Sequence, residues 1–153
     1  MSRELRYWDS NAFLAYFLAE ASRVNACEVV LEEAAKGEIL IVTSALTLAE
    51  VLALKGKQKL SPAPRVKSTI VDFFKNEYIS VQNVTRQVAE QARDLVWDKR
   101  IKPKDSIHVA SALVVGAPIF ETYDRPLIAK SGKIGAPPLI IRAPPNPRQG
   151  KLF

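Results

Sequence analysis

Four acids in this chain, Asp9, Glu50, Asp105 and Asp124, stand where the sequence passes from one kind of element to another. Asp9 leads Ser10 and Asn11, so three short polar side chains follow Tyr7-Trp8, more than a helix cap requires. Glu50 is the lone acid of Leu48-Ala49-Glu50-Val51-Leu52. Asp105 follows Lys102-Pro103-Lys104 and opens an apolar segment, and Asp124 closes Ile119-Phe120-Glu121-Thr122-Tyr123-Asp124 ahead of Arg125-Pro126. Carboxylates gathered in one cleft repel one another unless a hard cation neutralises them. A single cysteine, Cys27, and a single histidine, His108, argue against a structural zinc site; carboxylates with water favour Mg²⁺ or Mn²⁺. Such a centre acidifies a water, aims it at a phosphodiester and stabilises the charge that develops on the oxygens.

Each acid also has a purely structural reading. Asp at a helix start commonly caps it, which covers Asp105 and Asp9. Thr47-Leu48-Ala49-Glu50 matches a capping box, in which Glu50 reaches back to the backbone of Thr47. Capping and catalysis stand side by side for these residues at this point. His108 reads as a histidine packed in an apolar helix and satisfied by a local hydrogen bond. Cys27 shares a helical stripe with Val30, Leu31 and Ala34 and reads as core.

The elements that must hold the acids follow from periodicity. Tyr7-Trp8-Asp9 ends a first strand, and residues 11–18 form a helix directly after it. Residues 23–36 form a second helix stopped by Gly37, and residues 39–43 are a β-branched run without alternation, a strand covered on both faces. Glu50 lies at the start of the next helix; residues 55–65 read as an exposed loop or arm. Val66, Ile70, Phe73 and Phe74 mark a helix face, residues 78–81 a third strand, and residues 85–99 the longest amphipathic helix. Asp105 opens a helix whose Ile107, Ala110, Ser111 and Val114 share one side; Gly116-Ala117-Pro118 then turns the chain into a fourth strand ending at Asp124, and residues 138–142 form a fifth. Alternation of strands and helices implies right-handed crossovers and a parallel sheet covered on both faces. In such sheets sites form beyond the carboxyl ends of the strands, where strand order switches.

Composition sets the frame. The 153 residues suffice for one domain with a real core, here residues 1–142, followed by a Pro-rich basic tail over 143–153. No apolar run is long enough to span a bilayer and no signal peptide is visible, so the expectation is a cytoplasmic protein without membrane contact, which the single cysteine also fits. The balance of 22 Lys and Arg against 16 Asp and Glu, net +6, suits a polyanionic partner, and equally a protein kept soluble by charge.

Four stretches carry a family resemblance: Trp8-Asp9-Ser10-Asn11-Ala12-Phe13-Leu14, Leu48-Ala49-Glu50-Val51, Asp105-Ser106-Ile107-His108-Val109-Ala110-Ser111-Ala112 and Thr122-Tyr123-Asp124-Arg125-Pro126-Leu127. In order and spacing the chain resembles the PIN-domain family, and within it the short VapC-type toxins, from about residue 5 to residue 142. Ser106 stands where Ala is frequent, and the tail lies outside the pattern. The resemblance implies a three-layer α/β/α fold with a five-stranded parallel sheet, and Mg²⁺- or Mn²⁺-dependent cleavage of RNA. It maps the family's acids onto Asp9, Glu50, Asp105 and Asp124. We assign Asp9, Asp105 and Asp124 to the principal metal and Glu50 to a second metal or to positioning the water. Ser10, Asn11 and Thr122 would orient carboxylates or touch phosphate, and Arg125, Lys104 and Lys102 are candidates for the RNA backbone. The expected partners are RNA, a small antitoxin and a second copy of the chain in a homodimer. Two other readings stay open: a solitary PIN-domain RNA-processing nuclease, and a catalytically idle PIN-like module that binds RNA or protein.

Overall fold

A computed structural model describes residues 2–52 and 64–146. In chain order the elements are β1 (Glu4–Trp8), α1 (Ser10–Phe17), α2 (Val24–Ala35), β2 (Ile39–Ser44), α3 (Ala45–Glu50), α4 (Pro64–Phe73), β3 (Ile79–Gln82), α5 (Arg86–Lys99), α6 (Pro103–Val115), β4 (Ile119–Glu121), α7 (Arg125–Ile128) and β5 (Ile140–Arg142). The five strands form one parallel sheet in the order β3-β2-β1-β4-β5, as the three-layer α/β/α expectation requires. The order reverses between β1 and β4, which makes the gap beyond their carboxyl ends the switch point.

Alternation along the strands divides the core into two layers. Tyr7 on β1, Val42 on β2, Phe120 on β4 and Ile141 on β5 face α5 and α6, where Val88, Ala92, Leu95, Val109 and Ala112 meet them. Trp8, Ile39, Ile41 and Ile79 face the other way, onto Phe13, Cys27, Val30, Leu31, Ile70 and Phe74 of the α1, α2 and α4 layer. Tyr7 and Trp8 are both fully buried, so β1 is anchored from both sides; burying a large apolar side chain contributes about 1.5–3 kcal/mol. That exceeds the ~1 kcal/mol of one cap and decides where the eight-residue α1, too short to persist alone, is held. Phe13 stacks edge-on against Trp8 at 5.1 Å and packs on Phe74 at 4.9 Å.

Several boundaries move against the sequence-based expectations, each with a local cause. The capping box at Thr47 does not form. Ser44 caps α3 instead, its Oγ accepting from the Leu46 amide at 3.1 Å, while Thr47 bonds the Thr43 hydroxyl at 2.8 Å inside the helix. Glu50 therefore ends α3 and does not open it. Asp105 is the third residue of α6: Pro103 occupies the first position, where a missing N–H costs nothing, and Lys102 is the cap residue. Strand β4 stops at Glu121, three residues before Asp124. There the Thr122 hydroxyl accepts the Asp124 amide at 3.1 Å, a side-chain-closed turn that carries the chain out of the sheet. Pro64 and Arg65 belong to α4, and residues 55–63 of the expected arm lie outside the described residues. Beyond β5, Pro144 is buried, while residues 147–153 of the expected tail fall outside the described part.

Candidate active site

Strand β1 ends at the switch point, and the next residue is Asp9, 3% exposed. Its two oxygens are used differently. Oδ1 accepts the Ala12 amide at 3.2 Å and so caps α1; Oδ2 accepts the Thr122 hydroxyl at 2.6 Å from the turn after β4. The Thr122 hydroxyl also lies 3.1 Å from Asn11 Oδ1, which accepts the Tyr123 amide at 3.0 Å. The two loops at the switch point are thus tied together by Asp9, Asn11 and Thr122.

A cleft of about 200 Å³ opens above them, lined by Asp9, Ser10, Asn11, Leu14, Glu50, Asp105 and His108. Glu50 reaches it from the end of α3 because Oε1 accepts both the Ser10 hydroxyl and His108 Nε2, the latter at 2.7 Å. On the other side of the imidazole, the buried Tyr7 hydroxyl lies 2.7 Å from Nδ1. Glu50 and the Tyr7 hydroxyl thus hold the two ring nitrogens from opposite sides. Burial drives the Tyr7 phenol far above its ordinary range, so it remains a donor. His108 is therefore buried as expected, but it also acts on the site by fixing Glu50. Asp124 lies in an adjoining recess that shares Asp105 with the cleft. Arg125 is exposed and lines neither space.

The carboxylates sense one another. Burial pushes Asp9 up to about 6, with Asp105 adding to the rise and His108, Thr122 and the Ala12 amide opposing it. Burial also raises Asp105, and the charges of Asp124 and Glu50 raise it further against His108 and Lys102. Glu50 goes the other way: burial would raise it, but the hydrogen bonds from His108 and Ser10, with the charges of His108 and Lys104, hold it below the ordinary glutamate range. Among the described residues no group of three or more His, Cys, Asp or Glu closes tightly enough to enclose an ion by itself. The donor set still fits a hard cation, since Mg²⁺ takes one or two carboxylates and keeps several waters.

Glu121 escaped the sequence reading. It is fully buried at the end of β4, accepting Trp8 Nε1–H at 2.9 Å and facing Arg6 at 3.5 Å and Arg142 at 3.3 Å. Its signal lies in the register, which pairs Glu121 with Trp8 across the sheet.

Fold and cleft together define a doubly wound α/β domain with an acidic centre at its switch point. The PIN domain family model matches residues 6–133, and the chain belongs to that family. Three solved structures share its fold at low sequence identity. VapC20 of Mycobacterium tuberculosis, described as a sarcin-ricin loop cleaving toxin, is 19% identical with a TM-score of 0.63, over 81% of this chain and 93% of its own. VapBC2 of Rickettsia felis, solved on a DNA fragment from its promoter, is 16% identical at 0.63, over 90% and 96%. A toxin-antitoxin complex from Klebsiella pneumoniae is 17% identical at 0.60, over 78% and 86%. No curated protein matches the sequence.

Proposed function

We propose that this protein is a Mg²⁺- or Mn²⁺-dependent endoribonuclease, the toxin of a toxin-antitoxin pair acting in the cytoplasm. The observation that carries the reading is Asp105 standing between Asp9 and Glu50 on one side and Asp124 on the other, at the switch point of a PIN-domain sheet. Asp9, Asp105 and Asp124 would hold the ion, some directly and some through water. When bound, it neutralises the carboxylates and the phosphate and acidifies the attacking water. Thr122 and the Ala12 amide orient Asp9. Glu50 spends Oε1 on Ser10 and His108, and no described residue bonds Oε2, which remains to orient the water against the phosphorus.

An antitoxin partner is supported by the toxin-antitoxin complexes that share the fold. It is also supported by exposed apolar surface: Leu48, 42% exposed, and Val71, 41% exposed, border a groove with Leu52, Ile70, Phe74 and Val81. Co-expression with the small protein encoded beside it is expected to yield a stable complex. A homodimer completes the proposal, checked by light scattering.

The decisive test is Asp105→Asn. Cleavage of single-stranded RNA in Mg²⁺ is expected to fall by about 10²–10⁴-fold, the usual worth of a positioned catalytic group. The metal-free melting temperature should hold or rise, because the change relieves repulsion among carboxylates. Wild-type cleavage in the variant would remove Asp105 from the chemistry and overturn the reading.

A further inference from the structure

Asp105 belongs to two recesses at once. One is the acidic cleft; the other is lined by Arg100, Ile101, Lys102, Asp124, Leu127 and Lys130, with Pro126 beside them. The floor of the second is apolar, with Ile101 4% and Leu127 2% exposed. Its rim is cationic: Arg100 and Lys102 are exposed and Lys130 is half-buried. Among the described residues, no ion pair includes any of the three. Scattered unpaired lysines need no explanation beyond solubility. Three cations around one apolar-floored recess outnumber the two acids that share it, Asp105 and Asp124, so an incoming anion meets a rim of net positive charge. The acids feel neighbouring cations on both flanks, Lys102 acting on Asp105 and Lys104 on Glu50. Positive charge thus borders the acidic centre on its Asp105 and Glu50 sides alike.

We infer that the second recess seats the nucleotide next to the phosphodiester that is cut, its base against Ile101, Pro126 and Leu127 and its flanking phosphate on Arg100, Lys102 and Lys130. The inference rests on the nuclease reading above and names a substrate subsite within it. The ligand is single-stranded RNA, because a base can reach an apolar floor only when it is not paired in a duplex. Contacts to phosphate position a strand without reading its sequence. Removing them therefore weakens every RNA alike and lowers the salt dependence of binding.

The experiment compares the full-length wild type with the triple variant Arg100→Asn/Lys102→Gln/Lys130→Gln. Asn is chosen at 100 because Arg100 holds φ 57°, a left-handed conformation that Asn tolerates. A control triple, Arg3→Gln/Lys36→Gln/Lys75→Gln, removes the same charge just ahead of β1, β2 and β3, at the opposite edge of the sheet. Binding of a fluorescein-labelled single-stranded RNA is read by anisotropy in EDTA over a series of NaCl concentrations, and KM for the same RNA is read in Mg²⁺. The recess triple is expected to flatten the slope of log affinity against log salt by about 2, the value for three lost contacts on a single strand, and to raise KM at least about tenfold. The control triple is expected to change both far less. Equal losses in the two triples would assign the effect to net charge and overturn the inference. An unchanged recess triple, beside a wild type that cuts RNA, would overturn the recess alone; a wild type that neither binds nor cuts RNA would overturn the nuclease reading with it. If the triple fails to fold, Lys130→Gln alone must flatten the slope by about 0.7 for the inference to stand.

Discussion

Asp9 carries two tasks that pull against each other. As the cap of α1 it contributes to the fold in either protonation state, because Oδ1 can accept the Ala12 amide in both. As a buried charge it costs stability, and the cost has a pH signature. Its folded value lies near 6 against an ordinary 3.8. Between those values the folded protein holds a proton that the unfolded chain has lost, so stability falls as pH rises through the window. The rise from 3.8 to about 6 corresponds to about 3 kcal/mol, present as a penalty at pH 7 and absent below pH 4. Asp105 and His108 of α6 both act on the Asp9 charge, so the informative quantity is the difference between wild type and Asp9→Asn. In the variant the Thr122 hydroxyl can accept from the new amide and turn its own proton to Asn11 Oδ1. We expect Asp9→Asn in EDTA to be more stable than wild type at pH 7.5, with the gap closing by pH 4, measured by urea denaturation at both pH values. A gap independent of pH would mean that burial of the Asp9 charge is not its source.

At the scale of elements, Glu121 shows what holds the switch point together. Its carboxylate joins Trp8 on β1 to Arg142 on β5 across the end of β4. Arg142 is 37% exposed and can turn to water, and Arg6 keeps its pair with Glu4, so neither is left as a buried unpaired charge without Glu121. Trp8 is fully buried, and losing the acceptor strands its N–H at a cost of about 1–3 kcal/mol. Glu121→Gln keeps an acceptor and sheds a charge that burial disfavours, so it should stay within about 1 kcal/mol of wild type, whereas Glu121→Ala should lose about 2–4 kcal/mol once the cavity is added. Equal losses in urea denaturation would show that the ion pairs matter more than the indole. This residue also marks the limit of what the sequence discloses. The end of α6 was legible, with Gly116 at φ 77° turning the chain, but its start was not: the helix was expected to open at Asp105 and opens at Pro103. The alternation of strands with helices, and Asp9 at the carboxyl end of β1, were legible too. Glu50 at the end of α3 was not, since Thr47 satisfies the same local pattern as Ser44 and only Ser44 is placed to cap by the strand before it. Glu121 was not, because its partner is fixed by register, and register belongs to the assembled sheet. His108 was half legible: its burial followed from an apolar helix, but its bond to Glu50 joins residues 58 positions apart.

On the scale of the molecule, a basic chain carries a centre of negative charge. The chain carries +6 overall, yet its switch point gathers Asp9, Glu50, Asp105 and Asp124 in two adjoining recesses. Under the proposed function, cations beside the site would attract RNA, while the acids would repel its phosphates until a divalent ion sat among them. The metal-free fold therefore stores a repulsion that binding removes, and the ion should act as a stabilising ligand as well as a catalytic one. Stabilisation follows mass action and reaches about 2.7 kcal/mol at a hundredfold excess over Kd, worth roughly 5–10 °C for a domain of this size. We expect Mg²⁺ and Mn²⁺ to raise the melting temperature of the wild type, with monovalent salt at equal ionic strength raising it much less. The same titration on Asp105→Asn should show a smaller shift from a higher metal-free starting point, because one carboxylate no longer repels its neighbours or attracts the ion. A wild-type melt that is flat across millimolar Mg²⁺ and Mn²⁺ would leave the four acids without the cation that their burial and mutual repulsion call for.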